Sequence, residues 1–531
     1  MKNPILIVGA GPTGLALAIT LSRYQIPVRI IDQEISAHTQ SRALGVHSKT
    51  MEVFHNFGIA DEILKNSLQI KYLNLFFQKE KKAEIDMGVL KAPYPFITII
   101  PQSITERILI EKLHQLGVRV ERGSKLISLI QTDEFVEGEI ESEEGNKETF
   151  KSPWVIGCEG AHSLVRKAIG ADFMGHPYET EYVLADIQMD SNLGMGSLNL
   201  FADLQGAIVV LPIKEGLYRI VSQKVKGVDP SHTTIHHLEE MISKRALGDN
   251  KIIDIQWISD FKISHRQASK YRNQRLFVAG DSAHIHSPAG GQGLNTGVQD
   301  AFNLGWKIAY VHKYHAGKKL LASYSRERIT VGKKVLSLTD KLTKIATVTS
   351  PLKLKYYSCI IQMINRVNLF KKRIAYQLSG ISIRYKKSPI IKKQKRFLFF
   401  IPAITAGCRL SDGHFIHLKE KKETQLFDLV CDKKHHLFLF VNKKRYLKAK
   451  SLKTNLEKKH PEILKVHLIT SDENLIGEDL WLDKKGLSTK PYCLRSPFMV
   501  MVRPDRYIGM TQRGLKEVKI KGYFQDLLGL F

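Results

Sequence analysis

Gly9, Gly11 and Gly14 follow the apolar run ILIV with the spacing GxGxxG. The first glycine permits a tight turn, the second lets a pyrophosphate approach the backbone, and the third lets the next helix pack close to the strand. The start of that helix offers unsatisfied N–H groups to the phosphates. Asp32 stands 18 residues after Gly14, at the end of a second apolar strand, where a carboxylate can accept ribose hydroxyls. The same charge repels a ribose 2′-phosphate, so this site suits FAD or NAD and is a poor one for NADPH. A second constellation lies at 275–309. There RLFVAG leads into Gly280 and Asp281, a carboxylate suited to ribityl hydroxyls, and GGQGLN at 290–295 opens a helix. N–H groups at that helix start can face a ring edge on which negative charge grows during reduction.

Other residues carry weaker signals. Arg42 can reach a pyrophosphate or a flavin ring by charge-assisted bonds, although an arginine in a polar loop is more often simply solvated. Gln102 can bond a cofactor or cap backbone. His284, His286 and His47 lie within the right segments but read equally as backbone-bonding histidines, so no protein acid or base is assigned. Phe201, Leu211, Tyr218, Ile220 and Phe261 can line an apolar pocket, with about half of such residues expected to be ordinary core on strand alternation.

Those groups need a frame. Apolar strands at 4–9 and 28–32 enclose a helix near Gly14 and make a βαβ unit. The segment 42–64 predicts an amphipathic helix ending at Gly58, and 103–117 a helix with Ser103 as N-cap and Glu106 three residues on. Residues 72–100 alternate like strands, 118–157 hold two hairpin-like strands and then WVIG, and 175–270 reads as β-rich with a charged helical interruption. Helices are expected from 297 to about 375. A basic, proline-marked break at 384–396 then begins a separate C-terminal α/β unit.

The chain has 531 residues, 43% of them hydrophobic, enough for two or three cored domains. Its five cysteines include no CxxC and no zinc-like spacing, which points to a reducing, cytoplasmic setting. The formal charge of +28, with seven Lys/Arg and no acid between Arg384 and Arg396, leaves weak membrane-surface association open. No finger, RNP motif or basic zipper supports nucleic acid as a partner. No run of 18 apolar residues is present, so no transmembrane segment is expected.

The motifs GAGPTG, SRALGVHSKTMEVF, IPQSITERIL, GCEGAHSLVR, GDSAHIHSPAGGQGLNTGVQDAFNLGWKIA and LLASYSRER occur in this order. Through them the chain resembles the FAD-dependent aromatic hydroxylases, single-component flavoprotein monooxygenases related to para-hydroxybenzoate hydroxylase, and in particular the phenol, pentachlorophenol, polyketide and rifampicin branch. The resemblance implies a Rossmann-like α/β FAD-binding core at 1–175 and 271–385, an inserted β-rich substrate domain at 176–270, and a thioredoxin-like C-terminal domain at 396–531. It implies FAD contacts from Gly9, Gly11, Pro12, Thr13, Gly14, Asp32, Arg42, Gln102, Glu159, Gly160, Arg166, Gly280, Asp281, Pro288, Gly291, Gly293, Leu294 and Asn295. Glu159 replaces the aspartate usual in the family's DG motif, and Ala406-Gly407 replaces its usual Pro-Gly.

The resemblance further implies that NADH or NADPH reduces the FAD and that O2 adds at the flavin C4a carbon. The hydroperoxide then hydroxylates a small phenolic or polycyclic aromatic substrate. The alternatives are an FAD-dependent epoxidase, a polyprenyl-phenol hydroxylase, and an FAD-binding protein that has lost oxygenation. The expected assembly is a monomer or homodimer.

Overall fold

The computed structural model describes residues 3–37, 43–204, 206–223, 238–239, 242, 250–288, 290–348, 350–392, 405–475, 477–483 and 498–530. Ile5–Val8 lies inside a six-stranded sheet in the order Arg272–Asn273, Leu276–Val278, Val155–Gly157, Ile5–Val8, Val28–Ile31, Val120–Glu121. Every pairing except the first is parallel. Parallel strands covered on both faces read as unbroken apolar runs, as ILIV and LFV do. Helix Pro12–Arg23 runs back across this sheet and packs against helix Gln292–Tyr314.

The remaining helices depart from expectation mainly at their ends. Ser48–Phe57 ends at Gly58, which adopts φ +73°, and the chain then starts a second short helix, Ala60–Lys65. The helix placed at 103–117 runs from Gln102 to Gln115 behind Pro101, so Ser103 is not its N-cap. Glu106 accepts from the Gln102 amide at 2.8 Å, and the anticipated capping box does not form. Between 118 and 157 three antiparallel strands appear where two were expected: Ser124–Gln131, Val136–Ser142 and Lys147–Ser152.

An eight-stranded sheet forms the second layer, in the order His284–Ile285, Lys251–Ala268, Phe173–Asp190, Leu217–Gln223, Gly206–Lys214, Ser197–Asp203, Tyr72–Phe77, Glu80–Asp86. Its last two strands come from a segment that the sequence division had placed with the nucleotide core. Ser197–Asp203 would otherwise be a bare edge, and Tyr72–Phe77 covers it in parallel register. The expected charged helical stretch falls mostly outside the described residues. Helices Lys318–Ala346, Pro351–Arg366 and Asn368–Leu378 follow.

A seven-stranded mixed sheet makes the C-terminal unit, in the order Glu423–Gln425, His414–His417, Leu480–Leu482, Leu464–Thr470, His435–Phe440, Phe498–Val502, Ile508–Arg513. The break expected at 384–396 is stitched to this sheet as far as it is described. Tyr385 donates to the Gly407 carbonyl at 2.7 Å and Lys392 to that of Gly509 at 2.8 Å. Nor is the unit separate, because one continuous apolar cluster contains Ile7, Leu17 and Trp306 together with Leu437, Met499 and Phe524. Trp306 packs edge-on against His435 at 5.6 Å.

Candidate functional site

The turn after Ile5–Val8 is shaped by close approach. Gly9 has φ +101°, and a Cβ there would lie 2.5 Å from the Cys158 carbonyl oxygen, so no side chain fits. Gly14 is pressed against the Gly9 carbonyl, whereas a Cβ on Gly11 would meet nothing within 4 Å. Open space therefore lies over the start of helix Pro12–Arg23. That helix has no side-chain cap and no acid in its first turn, leaving its first N–H groups to an anion. Pro12 occupies the first helical position, where a missing N–H costs nothing. Asp32 accepts from the Ala10 N–H at 2.5 Å and the Glu34 N–H at 2.9 Å. Each carboxylate oxygen keeps a lone pair for a ribose hydroxyl.

The second half of the cradle is the turn Gly280–Ser282. Gly280 has φ +61°, and a Cβ there would fall 2.5 Å from Thr13 Oγ1, so Thr13 acts as the spacer between the two glycine segments. Buried Asp300 holds this turn, accepting from the Gly280 N–H at 3.1 Å and contacting His284 Nε2 at 2.7 Å. Burial pushes the Asp300 carboxyl upward, but the Arg328 guanidinium beside it and His284 outweigh that and hold it below its usual range. Asp281 is exposed on one side while protein crowds the others, and the loss of hydration raises its pKa.

Gly160 and Arg166 tie the family's altered DG segment to the same turn. The Gly160 N–H donates to Ser282 Oγ at 3.0 Å, and Arg166 donates to the Ser282 carbonyl at 3.1 Å and that of Ala161 at 2.7 Å. Glu159 accepts from the Ser163 hydroxyl at 2.6 Å and the Val165 N–H at 2.8 Å, and burial raises its pKa. Glu159 and Arg166 thus hold the cradle together through protein bonds.

The third element is the loop before helix Gln292–Tyr314. The Pro288 carbonyl accepts from the Gly291 N–H at 2.8 Å, and Gly291 ends the loop at φ +60° with no side-chain cap on the helix. Asn295 pins this start to the segment before helix Ser48–Phe57. Its side chain accepts from the His47 N–H at 2.8 Å and donates to the carbonyls of Gly45 at 2.8 Å and Gly291 at 2.7 Å. Gly293 lies beside His286, and Leu294 packs against the main core. Gln102 donates its N–H to the Ala43 carbonyl at 3.0 Å and so fixes the far end of the same segment. Arg42 lies outside the described residues.

The three histidines divide clearly. Burial pushes His47 down to about 4, and its ring bonds the Leu378 carbonyl. Burial likewise pushes His286 to about 4, with Nδ1 on the Ser287 carbonyl at 2.9 Å. Both are neutral near pH 7, and His284 serves the Asp300 cluster. Of the pocket candidates, Phe201, Tyr218 and Ile220 belong to a buried core cluster, with Phe201 stacked on Phe76 at 4.6 Å. Leu211 instead packs with Leu44, Ile97 and Ile99 beside the pinned segment. The side chain of Phe261 is outside the described residues.

Sequence reasoning missed Asp300 and Arg328. Neither stands in a recognisable motif, and on the helix Asp300 is flanked by Thr296, Gly297, Asn303 and Leu304, a mixed face that gives no linear signal. It also missed the convergence of His55, Asp428 and Cys431, whose ligand atoms lie within 4.8 Å of one another. Arg506 Nη2 sits 3.2 Å from the Cys431 sulfur, and that cation opposes binding of a second one.

Two uncapped helix starts, the open space over Gly11 and the free lone pairs of Asp32 fit the pyrophosphate and ribose of FAD. A family model described as an FAD binding domain matches residues 2–339. The chain is similar to 6-methylpretetramide 4-monooxygenase of Streptomyces rimosus, 34% identical over 397 residues, which cover 73% of this chain and 70% of that protein. It is similar to pentachlorophenol 4-monooxygenase of Sphingobium chlorophenolicum, 29% identical over 521 residues, 95% of this chain and 93% of that one. In fold it matches aklavinone-11 hydroxylase, solved with FAD and aklavinone, at a TM-score of 0.79 and 20% identity across 99% of each chain. The matched segment builds both halves of the cradle, and the chain belongs to the FAD-dependent aromatic hydroxylases, a family of flavoprotein monooxygenases.

Proposed function

We propose that this flavoprotein monooxygenase consumes NADH or NADPH and O2 to hydroxylate a phenolic or polycyclic aromatic substrate. The carrying observation is that the strands Phe173–Asp190 and Lys251–Ala268 pair along their length, and the second also pairs with His284–Ile285, directly after the Asp281 turn. An extensive sheet thereby stands against the loop that would hold the flavin ring. The similarity to pentachlorophenol 4-monooxygenase across most of both chains supports a phenolic substrate.

Bound FAD supplies the electron transfer from the pyridine nucleotide and the activation of oxygen. The protein's part is to bind and orient. Gly9, Gly11, Pro12, Thr13 and Gly14 present the helix start to the pyrophosphate, Asp32 takes the ribose, and Asp281 takes the ribityl chain. Gly291, Gly293, Leu294 and Asn295 set the second helix start against the ring, and the inserted sheet excludes water. The Glu159 carboxylate reaches past its own turn to Ser163 and to the first turn of helix Leu164–Ile169, so the longer side chain is accommodated within the cradle.

We assign 1–71, 87–175 and 271–385 to the cofactor core, 176–270 with 72–86 to the substrate domain, and 396–531 to a thioredoxin-like unit. The strand–helix–strand His435–Phe440, Tyr446–Lys459 and Leu464–Thr470, followed by a hairpin and a helix, supports the last assignment. Free thiols at Cys158, Cys359, Cys408 and Cys431 fit a reducing cytoplasm.

The test measures FAD content, NADH and NADPH oxidation, peroxide, and product mass across phenols, naphthols and polycyclic aromatics. A mass gain of one oxygen with little peroxide is expected. Retained FAD with only basal peroxide across the whole panel would sink the reading in favour of a flavin-binding protein without oxygenase activity.

A further inference from the structure

Helix Pro351–Arg366 is apolar on two opposite faces. Leu354 and Ile361 are buried in a cluster with Phe77, Ala83 and Val348, and strand Glu80–Asp86 lies beneath them. Leu352, Tyr356, Cys359 and Met363 follow one another at steps of four, three and four residues, which places them on a single stripe. That stripe is turned outward, with Leu352 81% exposed, Tyr356 63% and Met363 67%. The patch continues into helix Asn368–Leu378, where Leu369 is 73% exposed and Phe370 48%. Other exposed large apolar residues are scattered along the chain, whereas these lie within 19 consecutive positions.

Charge accompanies the patch. Between Pro351 and Leu378 the chain carries six Lys/Arg and no Asp/Glu, and no acid occurs anywhere between Asp340 and Asp412. Lys353, Lys355, Arg366, Lys372 and Arg373 are exposed around the apolar stripe. The acids on the strand beneath are engaged locally, Glu80 with Lys82, Glu84 with Lys81, and Asp86 accepting from the Gly88 N–H at 2.7 Å.

We propose that the outer face of this helix pair docks on an anionic membrane surface. Apolar side chains at the centre of a cationic rim match a bilayer, which offers acyl chains below a layer of anionic headgroups. A second copy of the chain would bring cations against cations. Nucleic acid would pair with the rim but leave Leu352, Met363 and Leu369 in water. The proposal is independent of the substrate assignment above.

Flotation of the purified, FAD-loaded full-length protein with two kinds of vesicle tests it, phosphatidylcholine alone and phosphatidylcholine with about one-third phosphatidylserine. The protein should float only with the anionic vesicles, and added salt should release it. Each lost cation should weaken binding about fivefold, so K371E/K372E/R373E should weaken it by more than about a hundredfold. L352S/L369S/F370S should also reduce it strongly, with FAD content and melting temperature unchanged in both variants. Absence of wild-type flotation would overturn the proposal, as would variants that bind like wild type. A concentration-dependent dimer that L352S/L369S/F370S abolishes, without vesicle binding, would show that a second copy covers the patch.

Discussion

Asn295 shows what one side chain contributes when backbone segments distant in sequence must meet. Its three hydrogen bonds reach His47, Gly45 and Gly291, and all vanish in Asn295→Ala. The His47 N–H is buried, and such a group left without a partner costs about 1–3 kcal/mol, whereas the partly exposed Gly45 and Gly291 carbonyls turn to water at smaller cost. That variant should melt several degrees lower and release FAD more readily, both read from flavin fluorescence during a thermal ramp. Unchanged flavin retention would mean that the pin is dispensable. His47 makes a second prediction at this scale. Its pKa is about 4 in the folded protein against an ordinary value of 6.5, so the unfolded chain takes up a proton in that window while the folded chain does not. Stability therefore rises with pH between about 4 and 6.5 and falls on acidification, by about 3 kcal/mol for this one residue. Urea midpoints measured across that range should show a shallower acid slope in His47→Gln.

Among elements, helix Gln292–Tyr314 has the most neighbours to satisfy. It presents its first N–H groups to the cofactor cradle, lays its middle against helix Pro12–Arg23, and meets the C-terminal sheet through Trp306 and Tyr310. Lys307 on this helix contacts Glu327 at 2.7 Å, and Glu327 also receives Arg503 at 2.6 Å from the C-terminal unit. All three are fully buried. Removing one member of a buried charge group leaves the rest uncompensated, at about 3–5 kcal/mol. Glu327→Gln should accordingly lower the melting temperature sharply and speed amide exchange in Phe498–Val502 and Ile508–Arg513. Exchange that stays at the wild-type rate would exclude this cluster as the clamp.

Across the whole molecule, the C-terminal sheet is a structural wall of the cofactor domain. Arg409 and Arg506 reach into helix Ser48–Phe57, where Arg409 pairs with Glu52 and Arg506 donates to the Glu52 carbonyl at 3.0 Å. The segments AGCRLSDG at 406–413 and VRPDRYIG at 502–509 supply these groups, which gives them a docking role within one chain. A protein ending at Lys392 would expose Trp306 and Tyr310, both now at most 1% accessible, with about 25 cal/mol lost per Å² of apolar surface uncovered. It should elute as aggregate or fail to retain FAD, and a monodisperse, FAD-loaded truncation would refute the wall.

The glycine turns and strand ends were legible in sequence because their signals are local. Gly9, Gly11, Gly14, Asp32, Gly280 and Asp281 act through backbone conformation and strand ends, which neighbouring residues determine. The parallel core was legible for the same reason, in runs such as ILIV that only a doubly covered strand needs. What sequence could not reveal depends on pairs far apart in the chain. Ser103 could not disclose that Pro101 starts the helix. The strands at 72–86 gave no sign that they cover Ser197–Asp203, and Phe201 looked as able to line a pocket as to fill the core it does fill. Asp300 with Arg328, and Glu327 with Arg503, became intelligible only once burial brought charges together that would otherwise be solvated separately. Local geometry thus wrote the glycine turns into the sequence, while long-range burial alone decided that the six-stranded and seven-stranded sheets share one core and that the eight-stranded sheet keeps its own.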